Sequence, residues 1–180
     1  PNNSLEESPT ITDLPEIGVL AQIKSCVILP NKNYRIVLKG LNRIKINKYS
    51  NYKEDKSILI ANVKRIFIEK EETVEQKALK KKIISLLNKY ISVSSQTSNS
   101  ILSKIKDDIS LDILTDLVVN FLKFPMEKKL LYMNEFDETL RAKMLIKDIN
   151  IELEVIELNN KIDDEIRESF ENEQKEYLIK

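Results

Sequence analysis

Residues 13–46, DLPEIGVLAQIKSCVILPNKNYRIVLKGLNRIKI, decide the fold class of this chain. Gly18 opens a run through residue 29 that is rich in aliphatic and β-branched side chains. Pro30 closes the run, and Asn31, Lys32 and Asn33 supply turn chemistry before Tyr34 starts the next one. In that second run Tyr34, Ile36 and Leu38 alternate with Arg35, Val37 and Lys39. Successive side chains of a strand point to opposite faces, so one face is apolar and the other mostly charged, as a sheet packed on one side requires. Gly40 interrupts the alternation at a position suited to a bulge or bend, after which Ile44 and Ile46 are expected to resume the apolar face against Arg43, Lys45 and Asn47. The stretch therefore reads as three strands joined by two tight connections.

Outward from it, residues 49–56 are polar and read as a loop, and residues 57–68 as a further strand. Leu59, Ala61, Val63 and Phe67 fall on one face of that strand and Ile58, Ile60, Ile66 and Ile68 largely on the other, which predicts an interior position in the sheet. Residues 1–12 read as an extended polar lead-in. From the charged run at residues 69–72 onward the periodicity is helical, which places a boundary near residue 70 between a β subdomain (1–70) and a helical one (71–180).

Thr73 and Gln76 match a capping box at the start of a helix that carries Leu79, Ile83, Leu86, Leu87 and Tyr90 on one face and the lysines at 80–82 on a solvated one. Residues 92–100 are rich in serine and read as a flexible connector. Ile101, Leu102 and Ile105 suggest a short helix, and Ile109, Ile113, Leu114, Leu117, Val118, Phe121 and Leu122 an amphipathic one. Pro125 stops that helix and starts another that is expected to bury Leu130 and Leu131. From residue 138 to the end there is neither proline nor glycine. A helix through all of it spans roughly 65 Å and must project from a compact subdomain. Val155, Leu158, Ile162, Ile166, Phe170 and Tyr177 recur along it at a mean spacing of roughly 3.7 residues, among dense charges. This narrow apolar stripe is a contact surface for another copy, for further chain or for a client.

Composition narrows the function classes. Hydrophobic content of 42% and charged content of 32% suit a folded protein with a well-solvated surface. With 29 basic and 29 acidic residues, no net field draws the whole molecule to nucleic acid or to an anionic membrane. No histidine is present, which removes the Ser-His-Asp and Cys-His constellations and the commonest zinc ligand. The single cysteine, Cys26, excludes an intrachain disulfide and fits a reducing compartment; within a strand it reads as a small buried hydrophobe. No stretch approaches the roughly 20 apolar residues of a membrane span, so the expected location is cytoplasmic. The polar start at Pro1 reads as a piece of a longer chain. The two glycines, Gly18 and Gly40, are too far apart to cradle a phosphate, and no G-x-x-x-x-G-K-[ST] loop occurs.

Asp13, Leu14, Glu16, Ile17, Gly18, Ala21 and Ile23 form the pattern D-L-x-E-I-G-x-x-A-x-I; Leu29, Pro30, Val37, Gly40, Leu41, Arg43 and Ile46 follow in order. This resembles the amino-terminal domain of Lon, the ATP-dependent protease. The helical half continues the likeness with Leu114 and Asp116, Glu127, Lys128 and Leu131, Asp137 and Arg141, Glu157, Leu158, Lys161 and Ile162, and finally Gln174, Lys175, Glu176 and Tyr177. Departures include Pro15 where an aromatic is usual, the turn at 31–33, Lys129 for a glutamine and Ala142 for a leucine. The resemblance implies an α+β fold: a mainly antiparallel β subdomain, an incomplete PUA-like pseudobarrel, followed by a helical bundle ending in a long helix. In the family further strands precede residue 13, and without them the sheet has an edge open to pairing.

The implied parent is a homohexameric ATP-dependent serine protease of the cytoplasm that degrades misfolded and regulatory proteins. This chain would be its non-catalytic substrate-engaging and assembly part, with ATP, Mg and the Ser-Lys chemistry belonging to other modules. No catalytic, cofactor-binding or metal residue is assigned here. Candidate client contacts are Ile162, Ile166, Phe170 and Tyr177, which are equally suited to packing on a neighbouring subunit. Two rivals remain: a nucleic-acid-binding or regulatory module, with DNA as a possible partner, using Arg35, Lys39, Arg43, Lys45 and Lys48 on the polar side of the sheet, and a structural coiled-coil spacer.

Overall fold

The computed structural model describes residues 10–66, 71–94 and 99–178. The polar lead-in before Thr10, the last strand positions Phe67 and Ile68, the charged boundary at 69–70 and the serine-rich positions 95–98 lie outside the described residues. The chain forms two compact units, Pro1–Lys70 and Glu71–Lys180.

In the first unit a short 3-10 turn at Ile11–Asp13 leads into β1 (Ile17–Ile28), β2 (Tyr34–Asn51) and β3 (Leu59–Arg65), an antiparallel sheet in the order β1-β2-β3. The hairpin turn closes through the Leu29 amide donating to the Asn33 carbonyl at 2.7 Å and the Lys32 amide donating to the Leu29 carbonyl at 2.9 Å. Asn31 Oδ1 accepts from the Asn33 amide at 3.1 Å, and Lys32 takes the left-handed conformation at φ 64°.

The expected three strands over residues 13–46 are two. Gly40 does not end its strand: Ala21 faces Gly40 and Leu20 faces Asn42, so Leu41 is an extra residue in a bulge. One extra residue inverts the side-chain alternation beyond it. Ile44 and Ile46 therefore do not resume the face of Tyr34, Ile36 and Leu38 but take the opposite one, where they approach Gly18: a Cβ added there would meet Ile46 at 3.4 Å and Ile44 at 3.5 Å. Ile44 is the buried centre of this unit. Around it the Ile46 amide donates to the Glu16 carbonyl at 2.7 Å and the Tyr49 hydroxyl to the Pro15 carbonyl at 2.8 Å.

The polar stretch read as a loop from residue 49 is still strand as far as Asn51. β3, expected in the interior, pairs only with β2 among the described residues, and its side chains are exposed along its length. Among the described residues its apolar side chains thus have no second strand beside them. Cys26, expected to be buried, is exposed, as are Val27 and Val37 on the opposite face of the hairpin.

The second unit packs α1 (Val74–Val93), α2 (Asn99–Leu102), α3 (Leu111–Phe121), α4 (Met126–Asn134) and α5 (Glu138–Leu178). The capping box forms: the Gln76 amide donates to Thr73 Oγ1 at 3.1 Å and the Thr73 amide to Gln76 Oε1 at 2.9 Å. Thr73→Ala is expected to cost about 1 kcal/mol of stability by leaving a helix-end amide without its acceptor, read from the urea midpoint. The connector is shorter than its serine content predicts, since α1 runs to Val93 and α2 begins at Asn99. Ile83, Leu86, Leu87 and Tyr90 of α1 pack with Leu114 and Val118 of α3 and with Ala142, Leu145, Ile149 and Leu153 of α5 in one core. Tyr90 meets Phe121 edge-on at 6.3 Å between ring centroids.

Four positions depart from the sequence reading. Lys80 is not on a solvated face: Nζ pairs with Glu72 at 2.8 Å and donates to the Ile109 carbonyl at 2.7 Å, while Glu72 also accepts from the Leu111 amide at 3.1 Å. Ile113 is exposed, as are Leu130 and Leu131. A nine-residue helix buries whichever face its neighbours meet, and α4 turns Tyr132 inward instead.

α5 starts where Asp137 Oδ1 accepts from the amides of Thr139 and Leu140 at 2.8 and 3.0 Å. In its first turn Glu138 is held above the usual carboxylate range, first by burial and then by Asp112, with Glu72 and Asp137 adding to Asp112 and Arg141 opposing them. A carboxyl raised in the folded state binds its proton more tightly there, so stability falls as pH rises from the unfolded value through the folded one. Glu138→Gln is expected to raise the urea midpoint at pH 7 and to leave it unchanged at about pH 3, where both states are protonated.

Candidate functional site

Two of the surfaces that leave large apolar side chains in solvent form continuous rows. On the hairpin, residues that face each other across the ladder share a side of the sheet. Ile28 faces Tyr34, Cys26 faces Ile36 and Ile23 faces Leu38, with Ala21 opposite Gly40. Val19 joins this side, because its Cγ1 lies 3.4 Å from where a Gly40 Cβ would stand. Ile23, Ile28, Tyr34 and Leu38 are each 60% exposed or more, and Val19 and Ile36 about half exposed. Scattered exposed hydrophobes need no explanation, but a contiguous row at the end of a hairpin does.

Beyond the Leu41 bulge, Arg43 and Lys45 stand on this same side, facing Val19 and Ile17, and a second bulge between Ile46 and Lys48 adds Lys48 opposite Asn62. Arg35 and Lys39, which precede the first bulge, stand on the other side, with Val27 and Gln22. The five cations expected to form one basic patch are thus divided between two faces, and the DNA-binding reading loses its geometric support.

The second surface is the distal part of α5. Ile162, Ile166 and Phe170 are 51, 50 and 63% exposed, in line with Val155 and Leu158, and form one stripe at a helical turn of about 100° per residue. Tyr177 lies on the same helix, its side chain outside the described residues. Among the described residues, the last buried one of α5 is Leu153, which fits the core of its own unit; Ile156 is half-buried against that core.

A cleft of about 460 Å³ between α4 and α5, lined by Pro125, Lys128, Leu131, Tyr132, Met144 and Asp148 among others, was not legible in the sequence. Three of its polar groups engage one another: Tyr132 donates to Asp148 at 2.5 Å, and Lys128 pairs with Asp148 at 3.0 Å while lying 4.2 Å above the Phe124 ring. The helical spacing of Lys128, Tyr132 and Asp148 gave no sign of it, since Asp148 belongs to another helix.

Both glycines are paired strand residues rather than parts of a loop before a helix, so these residues do not fit a nucleotide phosphate. Among the described residues, no group of three or more Cys, Asp or Glu side chains is arranged to hold a metal ion, and no helix is long and apolar enough to cross a membrane.

Residues 1–150 match the family model of the ATP-dependent protease La (LON) substrate-binding domain. A Lon protease of Brevibacillus choshinensis is 29% identical over 174 residues, 97% of this chain and 22% of that protein. Lon protease 1 of Bacillus subtilis is 26% identical, again over 97% of this chain and 22% of that protein. The chain thus spans about a fifth of the length of these relatives. The N-terminal domain of a Mycobacterium avium complex Lon protease superposes with a TM-score of 0.61 at 21% identity, over 81% of this chain and 73% of that one, and shares its fold.

Proposed function

The chain belongs to the family of the ATP-dependent protease La (LON) substrate-binding domain, and on that basis we propose that it holds unfolded or misfolded protein clients for a larger ATP-dependent serine protease. The exposed apolar row on the hairpin carries this reading. An unfolded client displays apolar side chains that its native state hides, and a shallow apolar face binds many such sequences weakly without selecting one. Ile162, Ile166, Phe170 and Tyr177 on α5 offer a second apolar contact surface, on the helical unit. In a homohexameric parent, six copies raise the effective concentration of weak sites, so that modest single contacts retain a client.

The chemistry belongs to the rest of the parent. Hydrolysis of ATP with Mg and cleavage of the client, misfolded or regulatory, occur in modules other than this one, in the cytoplasm. This domain contributes holding and self-association in the assembled ring.

A fluorescence anisotropy titration of the 180-residue chain tests the proposal, using one labelled protein in a permanently unfolded and a native form and a DNA duplex at two salt concentrations. Binding of the unfolded form alone, with little dependence on salt, is the expected result. Equal binding of both protein forms, or of neither, overturns it, and salt-dependent binding of the duplex alone restores the nucleic-acid reading.

A further inference from the structure

Resting on that reading, we infer that the distal stripe of α5 selects client segments that are both apolar and basic. Between residues 154 and 172 the helix carries seven carboxylates against two cations, although the whole chain is neutral. The helical turn places Glu154 and Glu165 along one border of the stripe of Val155, Leu158, Ile162 and Ile166, with Lys161 just beyond them, and Asp163 along the other, with Arg167 just beyond it. Of the seven, Glu157 pairs with Lys89 and Glu171 with Arg167, both at 3.3 Å. Among the described residues no cation pairs with Glu154, Asp163, Asp164, Glu165 or Glu168.

An exposed apolar strip with acidic margins discriminates in two ways. Its centre rewards burial of aliphatic or aromatic side chains, and its margins favour a lysine or arginine flanking them and repel an acidic one. The stripe of a second copy would bring like-charged margins together in either direction. A basic, apolar segment, such as an unfolded stretch or a nascent amphipathic helix, satisfies both requirements. Because the margins lie in solvent, the preference should weaken with salt, whereas burial at the centre should persist.

The test uses the 180-residue chain and labelled peptides of one apolar sequence flanked by lysines, by glutamates or by serines, with a lysine-flanked peptide whose apolar residues are serines. The permanently unfolded protein is titrated in parallel. The lysine-flanked apolar peptide is expected to bind about tenfold more tightly than the glutamate-flanked one at low salt and only about twofold more tightly at 0.5 M salt. The exposed substitutions Glu154→Gln, Asp163→Asn and Glu165→Gln together should remove the preference, and Ile162→Ser with Phe170→Ser should weaken all apolar peptides alike.

Equal binding of lysine- and glutamate-flanked peptides, with the unfolded protein still bound, overturns this inference and leaves client holding intact. Loss of binding to every peptide and to the unfolded protein overturns both. Equal binding of the lysine-flanked serine peptide reduces the effect to bulk charge and overturns the selection of apolar segments. Concentration-dependent self-association that Ile162→Ser abolishes, without a peptide preference, assigns the stripe to a second copy instead.

Discussion

Arg141→Met is expected to destabilise the helical unit by about 3–5 kcal/mol. Arg141 is 1% exposed, with one guanidinium nitrogen on Asp112 and another donating to the Glu135 carbonyl at 2.6 Å. It therefore joins three elements: the first turn of α3, the end of α4 and the first turn of α5. Methionine fills much of the volume but leaves the largely buried Asp112 carboxylate without its cation and the Glu135 carbonyl without its donor. Desolvating an unpaired carboxylate costs several kcal/mol. Far-UV circular dichroism along a urea titration reads the loss. The double variant Arg141→Met, Asp112→Leu removes both charges together and is expected to recover most of it. A single variant within about 1 kcal/mol of the parent would show that the buried pair contributes no net stability.

Tyr132→Ala is expected to cost about 3–5 kcal/mol, and Tyr132→Phe about 1.5 kcal/mol. The ring is 2% exposed and stacks on Phe124 at 6.0 Å, with 5° between the planes, while its hydroxyl donates to Asp148. Truncation to alanine deletes the ring contacts and opens the floor of the α4–α5 cleft; phenylalanine keeps the stack and loses only the hydrogen bond. The two variants thereby separate packing from polarity. Burial, then the hydrogen bond to Asp148 and its charge, push the Tyr132 hydroxyl well above the usual phenol range. A raised phenol keeps its proton in the folded state after the unfolded state has lost it, so it subtracts stability as pH rises above about 10. Tyr90 and Tyr49 are raised by burial too, the former also by Glu152. Tyr132→Phe should therefore reduce the alkaline loss without abolishing it; an unchanged alkaline slope would place the Tyr132 phenol in an ordinary environment.

How much of this was legible beforehand depends on the range of each signal. The capping box at Thr73 and Gln76 involves residues three apart, so the sequence displays both partners at once. The uninterrupted α5 follows from the absence of proline and glycine after residue 138. The hairpin and its turn follow from the punctuation at residues 30–33. Family membership was readable too, because its pattern lies in order along the chain.

The bulge at Leu41 was half legible. Gly40 marked the place, but which residue is extra depends on how β1 aligns, and that single residue decides whether Arg43 and Lys45 join Arg35 or oppose it. The candidate DNA surface failed on that point. Equally, the apolar residues of α4 looked like its buried face, yet Tyr132 is inside and Leu131 outside.

The sequence by itself determined which segments are strands or helices, where most of them begin, and to which family the chain belongs, because propensity, capping and periodicity act between residues a few positions apart. The tertiary structure alone decided which faces those segments bury, that Arg141 reaches Asp112, and that the apolar row of the hairpin stays in solvent. Burial is a relation between segments distant in the chain, set by pairing register and by the shape of the neighbouring surface.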